Sequence, residues 1–401
     1  MYRSLNPIAS PANNMAEGHV VISQRGAERL RSGHLWVYRS DVRSSEAEAG
    51  DIVRLTDDHG NFVGRAFFSN RSQITIRLLT REDVPVDRAF FAERIRAAAE
   101  SRKCVVDDTE AYRLVYSEAD LLPSLIVDRY AGFLVIQTLS QGADRMKDDF
   151  VSILSELFSP RGILERNDPR VRDLEGLPRR VSLLSGEVPQ EIEAARNGVR
   201  FLHDLHKGQK TGGFLDQREN HRAAMTYASG DVLDCFTYQG GFALTVASRA
   251  TQVEAIEMSA AALEVARRNQ ELNGIHNVTF REANAFDVLK AYDDAHRTFD
   301  AVILDPPAFA KNRESVAAAV RGYKEINLRA LKILKPGGYL ITCSCSYHIS
   351  EPLFLQLIAE AANDAKRAIQ IVERRTQSRD HPVLLTMPET HYLKCLILKA
   401  I

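Results

Sequence analysis

VLDCFTYQGGFAL, residues 232–244, joins a β-rich run to a loop with two adjacent glycines and then to an apolar helical segment. Glycines in such a loop let the backbone approach a ligand, and the helix that follows presents free N–H groups at its first turn. In open α/β sheets, ligands bind at the carboxyl ends of the strands. The loop lacks the G-x-G-x-x-G spacing of a dinucleotide site. The stretch therefore predicts an α/β domain. Taken alone, its glycines are explained equally well by a strand-to-helix turn that needs them for its shape and by a ligand at this edge of the sheet.

The sequence after Thr226 repeats this alternation of strand and helix. Three segments with helical periodicity lie at 259–274, 313–338 and 351–367. Seven β-rich runs lie around them, at 231–236, 252–258, 277–283, 299–307, 337–344, 368–373 and 391–400. We therefore predict a seven-stranded, Rossmann-like domain at residues 207–401, built on a parallel sheet with crossover helices.

Length and composition limit the other possibilities. At 401 residues, the chain is long enough for two or three domains. Its 52 Lys and Arg residues nearly balance 53 Asp and Glu residues, so any contact with nucleic acid requires a local basic patch. Five cysteines, an odd number, argue against a disulfide framework and favour reduced thiols in the cytoplasm. No apolar run approaches the length of a membrane span, so we expect no membrane association.

Upstream of this domain, the sequence predicts a lead-in and a small β domain. Residues 1–18 are expected to be a flexible N-terminus. Residues 19–86 contain four β-like runs with turn residues between them, and they include the single tryptophan, Trp36. This pattern indicates a small β-rich domain.

A central α+β domain is predicted at residues 87–206. Strand-like runs alternate there with helices at 88–103 and near 144–158. The region closes with the pair Asn197-Gly198, which suits a tight hairpin turn.

A polar residue ends each of the first four predicted strands of the C-terminal domain. These residues are Asp234, Glu257, Asn284 and Asp305. Any one of them alone is better explained as a solvated cap. Because the carboxyl ends of parallel strands meet at one edge, however, the four together favour a nucleoside-bearing cofactor beside Gly240 and Gly241. A carboxylate can accept hydrogen bonds from ribose hydroxyls, and an amide can face an adenine edge.

Two prolines follow the fourth of these residues. The stretch LDPPAF, residues 304–309, places Pro306 and Pro307 directly after Asp305. Proline restricts φ and removes N–H donors, so the carboxylate is held rigidly. This arrangement suits a group that grips a flat polar substrate. One proline is enough to end a strand, and the pair therefore favours a functional role.

Taken in order, these motifs resemble those of class I S-adenosylmethionine-dependent methyltransferases. More narrowly, the chain resembles the bacterial family of 23S ribosomal RNA large-subunit 5-methylcytosine methyltransferases. The matching segments are KTGGFLDQRENHR (210–222), DCFTYQGGFAL (234–244), LDPPAFAK (304–311), LITCSCS (340–346) and DHPVLLTMPETHYLK (380–394). Further upstream, GHLWVYRSDV (33–42) and SEADLLPSLIVDRY (117–130) resemble the family's N-terminal PUA domain and central domain. The resemblance implies S-adenosylmethionine as cofactor, large-subunit ribosomal RNA as substrate and a possible homodimer.

The resemblance gives a role to the thiols of LITCSCS. Cytosine C5 is a poor nucleophile, so its methylation requires a thiolate that adds at C6 and makes C5 reactive. Residues two apart on a strand share a face, so Cys343 and Cys345 are both candidates. The family's thiol lies about seven residues after a glycine pair. This spacing favours Cys345 as the nucleophile and leaves Cys343 as a helper. Asp305 is then expected to bind the N3/N4 edge of cytosine.

Further contacts are implied by the same resemblance. The additional residues expected to bind the cofactor are Phe214, Asp216, Arg218 and Phe236. Those expected to bind the substrate base are Pro306, Pro307 and Phe309. The chain departs from the family pattern at Gly213, where an aromatic residue is common. It also departs at Ala308, where many RNA cytosine methyltransferases carry a second cysteine, so the group that removes the C5 proton is left open.

Alternatives to this interpretation remain at the level of sequence. Asp-Pro-Pro-aromatic elements resemble those of methyltransferases that act on adenine or guanine nitrogens without a thiol, although Phe309 comes one place late. A non-catalytic RNA-binding assembly factor could keep the same fold. Both thiols could also pack in the core, and with only His348 nearby a zinc site is incomplete, so we expect no metal. Basic residues are scattered, so the expectation of RNA binding depends on the PUA resemblance.

Overall fold

The first region of the structure, a computed structural model that describes residues 18–310 and 314–401, is a six-stranded sheet. The predicted lead-in lies outside the described residues except for Gly18, which begins the first strand. The elements of this region are β1 (Gly18–Ile22), α1 (Gln24–Arg31), β2 (Trp36–Tyr38), β3 (Val42–Glu46), β4 (Ile52–Thr56), β5 (Phe62–Phe68) and β6 (Ile74–Thr80). The strands lie in the order β2-β6-β5-β4-β1-β3, and β1 and β4 pair in parallel. The β-rich character predicted for this region is confirmed.

The central region is built on a five-stranded sheet. Its elements are α2 (Arg88–Lys103), β7 (Ala111–Tyr116), β8 (Leu125–Tyr130), β9 (Phe133–Thr138), α3 (Gln141–Arg145), α4 (Lys147–Phe158), β10 (Gly162–Asn167), α5 (Val171–Leu174) and β11 (Arg180–Gly186). The strand order is β11-β10-β9-β8-β7. Asp87 caps α2 by accepting a hydrogen bond from the Phe90 amide, so this helix begins where the sequence predicts it.

A two-stranded hairpin connects the central region to the C-terminal domain. It consists of β12 (Glu191–Arg196) and β13 (Val199–Asp204), which pair in antiparallel fashion. Asn197 and Gly198 form the turn with φ of +52° and +75°. Both values are positive, as a tight two-residue turn requires, and the predicted hairpin is confirmed.

The C-terminal domain has seven strands. Its elements are α6 (Arg218–Tyr227), β14 (Gly230–Cys235), α7 (Gly241–Val246), β15 (Ala250–Glu257), α8 (Ala260–Leu272), β16 (Val278–Glu282), α9 (Ala285–Asp294), β17 (Phe299–Leu304), α10 (Val316–Lys332), β18 (Leu334–Ser344), α11 (Glu351–Asp364), β19 (Ile369–Arg375) and β20 (Lys394–Ala400). The strand order is β16-β15-β14-β17-β18-β20-β19. The seven predicted strands are all present, so the Rossmann-like fold is confirmed.

Two details of this domain differ from the sequence prediction. The sheet is not wholly parallel, because β20 runs antiparallel to both β18 and β19. The connection between β19 and β20 contains only the 3-10 turn Pro388–Thr390 and no crossover α-helix, and antiparallel strands can be joined without such a crossover. The helix predicted to reach residue 338 ends at Lys332, since the residue before Pro336 is disfavoured in a helix and the chain passes directly into β18.

Helices cover both faces of the seven-stranded sheet. Leu233 and Val302 face the side covered by α9, α10 and α11, where Tyr323 and Phe354 are fully buried. On the opposite face, Val232 packs with side chains of α6 and α7 and with the hairpin. Alternate residues of one strand thus enter two cores, which holds the carboxyl ends of β14 to β18 in fixed positions. No helix within the described residues is long and apolar enough to cross a membrane.

The segment between β19 and β20, residues 376–393, links the C-terminal domain to the N-terminal sheet, and we call it the connecting segment. Met387 is fully buried in the core of the N-terminal sheet, where its sulfur accepts a hydrogen bond from the Leu35 amide at 3.3 Å. The Thr386 hydroxyl donates to the carbonyl of Gly33 at 2.8 Å. Gly33 has a φ of +101°, and a Cβ there would lie 2.6 Å from Thr386. This close approach therefore requires glycine.

Candidate active site

A cavity of about 750 Å³ opens at the carboxyl ends of β14 to β18, within the range of small-molecule sites. Its wall includes the segments that follow these five strands. The hairpin, residues 209–217 and the end of the connecting segment complete it. The predicted residues that line the cavity are Phe214, Asp216, Phe236, Gly241, Glu257, Asn284, Asp305, Pro306, Pro307, Phe309 and Cys345. The predicted residues that are not part of the wall are Arg218, Asp234, Gly240 and Cys343.

Asp234 lies beneath the cavity and shapes the loop that follows β14. It is fully buried, and its Oδ2 accepts hydrogen bonds from the Thr237 hydroxyl at 2.6 Å and the Ala243 amide at 3.0 Å. Burial raises the pKa of Asp234 to about 7, although the bond from Thr237 opposes this shift. Gly240 turns the loop with a φ of +84°, and a Cβ there would meet Leu244 at 2.9 Å. Both residues thus form the loop without facing the cavity.

Glu257 and Asn284 occupy the next two strand ends. The Glu257 carboxylate accepts hydrogen bonds from the backbone amides of Tyr238, Met258 and Ser259, at 2.9–3.0 Å. Three backbone donors fix the orientation of this side chain. The Asn284 side-chain oxygen caps α9 by accepting a bond from the Phe286 amide at 2.9 Å. Both side chains line the cavity, as we predict from the strand ends.

Aromatic rings form one wall between these polar groups. The centroids of Phe286 and Phe309 are 5.9 Å apart, and Phe236 lies 6.4 Å from each. Phe309 is supported from behind by Tyr323 at 4.7 Å. Aromatic side chains at these separations pack favourably and present an apolar surface to a flat ring.

Residues 209–217 cover the cavity from above the sheet. The Lys210 ammonium donates to Asp216 Oδ2 at 2.6 Å and lies 4.6 Å from the centroid of the Phe214 ring. The Tyr392 hydroxyl donates to the same carboxylate oxygen at 2.6 Å. Burial disfavours the charge of Asp216, but these partners hold its pKa below the usual range. The other oxygen, Oδ1, is buried and has no hydrogen-bond partner.

Arg218 follows this segment but does not reach the cavity. It is fully buried in the first turn of α6. Its guanidinium contacts Glu219 at 3.3 Å and Asp380 of the connecting segment at 3.5 Å. Gly213, where an aromatic residue is common in the family, lies against the hairpin. A Cβ at Gly213 would lie 3.0 Å from the His203 ring. The space available to an aromatic residue at Gly213 is therefore taken by the hairpin.

Asp305 and Cys345 stand together at the far end of the cavity. The Gln217 amide donates to Asp305 Oδ1 at 2.8 Å. Burial, and then the negative charge of Asp216, raises the pKa of Asp305 to about 7. The Cys345 sulfur lies 3.9 Å from the carbonyl oxygen of Pro306, directly after Asp305. Burial, and then the charge of Asp305, raises the pKa of the Cys345 thiol to about 11.

Cys343 does not share this position. Strand β18 ends at Ser344, so the alternation that would bring both thiols to one face does not extend to Cys345. Cys343 stands directly opposite Cys395 on β20, fully buried in the core. Burial raises the pKa of the Cys343 thiol well above its ordinary value. The geometry thus leaves Cys345 as the one thiol of the pair at the cavity.

Known proteins are similar in sequence to this chain over more than nine-tenths of its length. A model of S-adenosylmethionine-dependent methyltransferases matches residues 178–398, and a PUA-like domain matches residues 20–81. Ribosomal RNA large subunit methyltransferase I of Shewanella amazonensis is 41% identical over 374 residues, covering 91% of this chain and 94% of that protein. The protein of the same name from Tolumonas auensis is 40% identical over 393 residues, covering 95% and 99%. The chain belongs to this family of S-adenosylmethionine-dependent methyltransferases.

Solved structures share the methyltransferase's fold from end to end. A methyltransferase crystallised with SAH superposes with a TM-score of 0.82 at 21% identity, covering 95% of this chain and 99% of that chain. An S-adenosylmethionine-dependent methyltransferase from Streptococcus mutans gives a TM-score of 0.80 at 20% identity, with the same coverage. The order of the domains is therefore shared.

The cavity of this methyltransferase fits S-adenosylmethionine, which supplies a methyl group on a sulfonium centre when bound. The unpartnered Oδ1 of Asp216 is an acceptor for an ammonium group. Glu257 offers carboxylate oxygens to hydroxyl groups. Phe236 and Phe286 offer an apolar surface to a purine ring.

Several residues of the methyltransferase cavity were not predicted from the sequence. Among them are Arg196, His203, Lys210, Gln217 and Tyr392. Lys210, Gln217 and Tyr392 lie within two segments that carry the family resemblance, and this is the signal that could have found them. Arg196 and His203 belong to the hairpin, where no motif marks them.

Proposed function

We propose that this methyltransferase transfers a methyl group to C5 of a cytosine in large-subunit ribosomal RNA. The observation that carries the proposal is the cavity shared by Cys345, Asp305 and the groups that fit the cofactor. A thiol in this position is required for attack at carbon and unnecessary for transfer to a base nitrogen. The name of the relatives, ribosomal RNA large subunit methyltransferase I, supports the choice of RNA.

The chemistry begins at Cys345. Its thiolate adds to C6 of the cytosine, which forms an S–C6 bond and moves an electron pair to C5. C5 then attacks the methyl carbon of the cofactor, and the methyl–sulfur bond breaks with release of S-adenosylhomocysteine. A base removes the C5 proton, the C5=C6 bond forms again and the S–C6 bond breaks. The thiolate is thereby returned.

Asp305 acts on the other edge of the base. With a pKa of about 7, its carboxyl group can carry a proton near neutral pH and donate it to N3. Protonation at N3 withdraws electrons from the ring and favours addition at C6, and the proton returns from N3 to Asp305 when the S–C6 bond breaks. The neutral form also removes the negative charge that opposes ionisation of Cys345. Gln217 holds the carboxyl group in place through its 2.8 Å bond.

The PUA-like match in the N-terminal region supports the proposal that the substrate is RNA. The PUA-like match covers residues 20–81, and the connecting segment joins this region to the domain that holds the cavity. RNA is recognised largely by shape and by unstacked bases, and a target base must leave its stack to enter a cavity of this kind.

The test is methyl transfer from labelled S-adenosylmethionine to unmodified large-subunit ribosomal RNA, followed by nucleoside analysis. Wild type, Cys345→Ala and Cys343→Ala are compared, the last being a matched control because its thiol is in the core. We expect 5-methylcytosine from wild type and Cys343→Ala, and a loss of at least about 10³-fold in Cys345→Ala. A methylated adenine or guanine that survives both substitutions would identify a base-nitrogen methyltransferase instead.

A further inference from the structure

Lys394 contacts the segment that carries Cys345. It begins β20 opposite Ser344 of β18 and is only 4% exposed. Its ammonium donates to the carbonyl of Ser346 and to the carbonyl of Tyr392, both at 2.8 Å. Ser346 follows Cys345 in the chain, and Tyr392 lines the cavity. The ammonium therefore joins two segments of the cavity wall at the point where the thiol is attached.

The charge of Lys394 is not cancelled by a close partner. Within residues 18–310 and 314–401, no carboxylate lies within 4.0 Å of its ammonium, and both of its hydrogen bonds go to neutral carbonyls. The groups that face it electrostatically are the Cys345 thiol and Glu351. Lys210, the other lysine that acts on Cys345, is paired with Asp216 at 2.6 Å. Lys394 is thus the less neutralised of the two positive charges near the thiol.

Such a lysine is costly to keep, because burial penalises an ammonium without an opposite charge. Burial lowers the pKa of Lys394 to about 8, and the thiol opposes this shift. An apolar side chain of similar length would fill the same space at a lower cost. Lys394 is also not the only residue that fixes the segment around Ser346. The Ser346 hydroxyl forms a hydrogen bond with the Tyr323 hydroxyl at 3.0 Å and accepts one from the Ala310 amide at 3.2 Å. The contribution that only Lys394 makes here is its charge.

We propose that Lys394 is a positioning residue for Cys345 whose positive charge, held at the cavity wall by the carbonyls of Ser346 and Tyr392, stabilises the thiolate. The proposal rests on the proposed function, in which that thiolate adds to the base. The charged groups around the thiol are Asp305 and Asp216, which oppose its ionisation, and Lys210 and Lys394, which favour it. A thiol that burial keeps protonated needs such a charge to react near neutral pH.

The experiment measures the rate at which iodoacetamide alkylates Cys345 in the full chain as a function of pH, with each cysteine peptide quantified by mass spectrometry. Below about pH 8, where Lys394 carries its charge, the rate follows the thiolate fraction. An opposite charge nearby is worth about one pKa unit or more, so Lys394→Gln and Lys394→Met should slow alkylation about tenfold at a given pH. Lys394→Arg, which keeps the charge, should restore most of the rate.

Two controls separate charge from structure. Tyr323→Phe removes one of the two neutral hydrogen bonds of the Ser346 hydroxyl and leaves the ammonium of Lys394, so alkylation of Cys345 should stay within about twofold of wild type. Cys104 is exposed and distant in the chain, and its rate serves as an internal reference. Cys235 is fully buried, so its alkylation reports any variant that unfolds. Lys394→Met keeps the apolar stem and remains informative if Lys394→Gln fails this check.

Unchanged alkylation of Cys345 in the folded Gln and Met variants overturns the proposal. It is also overturned if Lys394→Arg is as slow as Lys394→Gln, because a loss that charge does not rescue is structural. Alkylation needs neither RNA nor cofactor. A methylated adenine or guanine in place of 5-methylcytosine would refute the proposed function, and 5-methylcytosine formed by Cys345→Ala would refute the role of this thiol as nucleophile. In either case alkylation alone decides whether Lys394 influences the thiol.

Discussion

The acidic groups at the two ends of the cavity differ in how they are hydrogen-bonded. At the end that fits the cofactor, the Glu257 carboxylate is fixed by three backbone amides. At the opposite end, Asp305 receives one side-chain bond, and the Cys345 sulfur contacts one carbonyl at 3.9 Å. Burial raises the pKa of both groups at this second end. Under the proposed function, the first end holds the cofactor and the second end exchanges protons with the base.

The largest effect that tests this contrast is expected at Asp305. Asp305→Asn keeps the shape and can still donate a hydrogen bond, but it cannot transfer a proton. We expect kcat to fall by about 10² to 10⁴, because positioned proton transfer contributes rates of this order. Affinity for S-adenosylmethionine, measured by calorimetry, should change by less than about threefold.

Asp300→Asn is the matched control for this substitution. Asp300 lies at the other end of β17, where it pairs with Lys335 at 2.8 Å and accepts from the Asp231 amide. Its replacement should leave kcat near wild type. If Asp305→Asn weakens cofactor binding as strongly as it lowers kcat, the contrast between the two ends is broken.

A smaller and opposite effect is expected at Glu257. Glu257→Gln keeps the shape of the side chain but replaces the carboxylate that accepts from a cofactor hydroxyl, and one charge-assisted bond of this kind is worth about 1.5–3 kcal/mol. Cofactor affinity should therefore fall about 10- to 100-fold, while kcat at saturating cofactor stays within a few-fold. Equilibrium binding and saturation kinetics measure the two quantities separately.

The same strand offers a control for Glu257. Glu254 on β15 bonds to the Tyr292 hydroxyl and to Arg297, and it is not part of the cavity wall. Glu254→Gln should leave cofactor affinity unchanged. A fall in kcat without loss of affinity in Glu257→Gln would show that this end takes part in chemistry as well.

The smallest effect concerns stability. The pKa of Asp305 is about 7 in the folded protein, above its ordinary value of 3.8, so the folded state binds more protons between these values. Its contribution to stability is present at low pH and is lost as pH rises through about 7. Asparagine does not titrate, so Asp305→Asn lacks this pH-dependent decrease in the free energy of unfolding. The difference in free energy of unfolding between variant and wild type should therefore move in the variant's favour from about pH 5 to about pH 8. Parallel urea titrations at the two pH values measure it, and an unchanged difference would contradict the raised pKa.

Much of the fold could be predicted from local patterns. The α2 helix begins with a capping aspartate and carries helical periodicity, and the Asn197-Gly198 turn is encoded by two residues. The polar strand ends Glu257, Asn284 and Asp305 could be found because parallel strands bring their carboxyl ends together. The direction of β20 was missed, because it depends on the path of the connecting segment rather than on any local signal.

The candidate site was less accessible to such reasoning. Asp216 and Tyr392 are separated by 176 residues and meet only through tertiary packing. The choice between Cys343 and Cys345 depended on where β18 ends, a boundary that strand periodicity cannot supply. Spacing from the glycine pair favoured Cys345, and the structure brings this thiol to the cavity.

The connecting segment limits the distance between the N-terminal sheet and the wall of the cavity. Met387 is anchored in the N-terminal sheet and Tyr392, five residues later, stands in the cavity wall, so the two points are at most about 18 Å apart along an extended chain. Under the proposed function, RNA that contacts the N-terminal region would therefore bind at a set distance from the cavity, because the buried Met387 fixes this region to the segment that ends in the cavity wall.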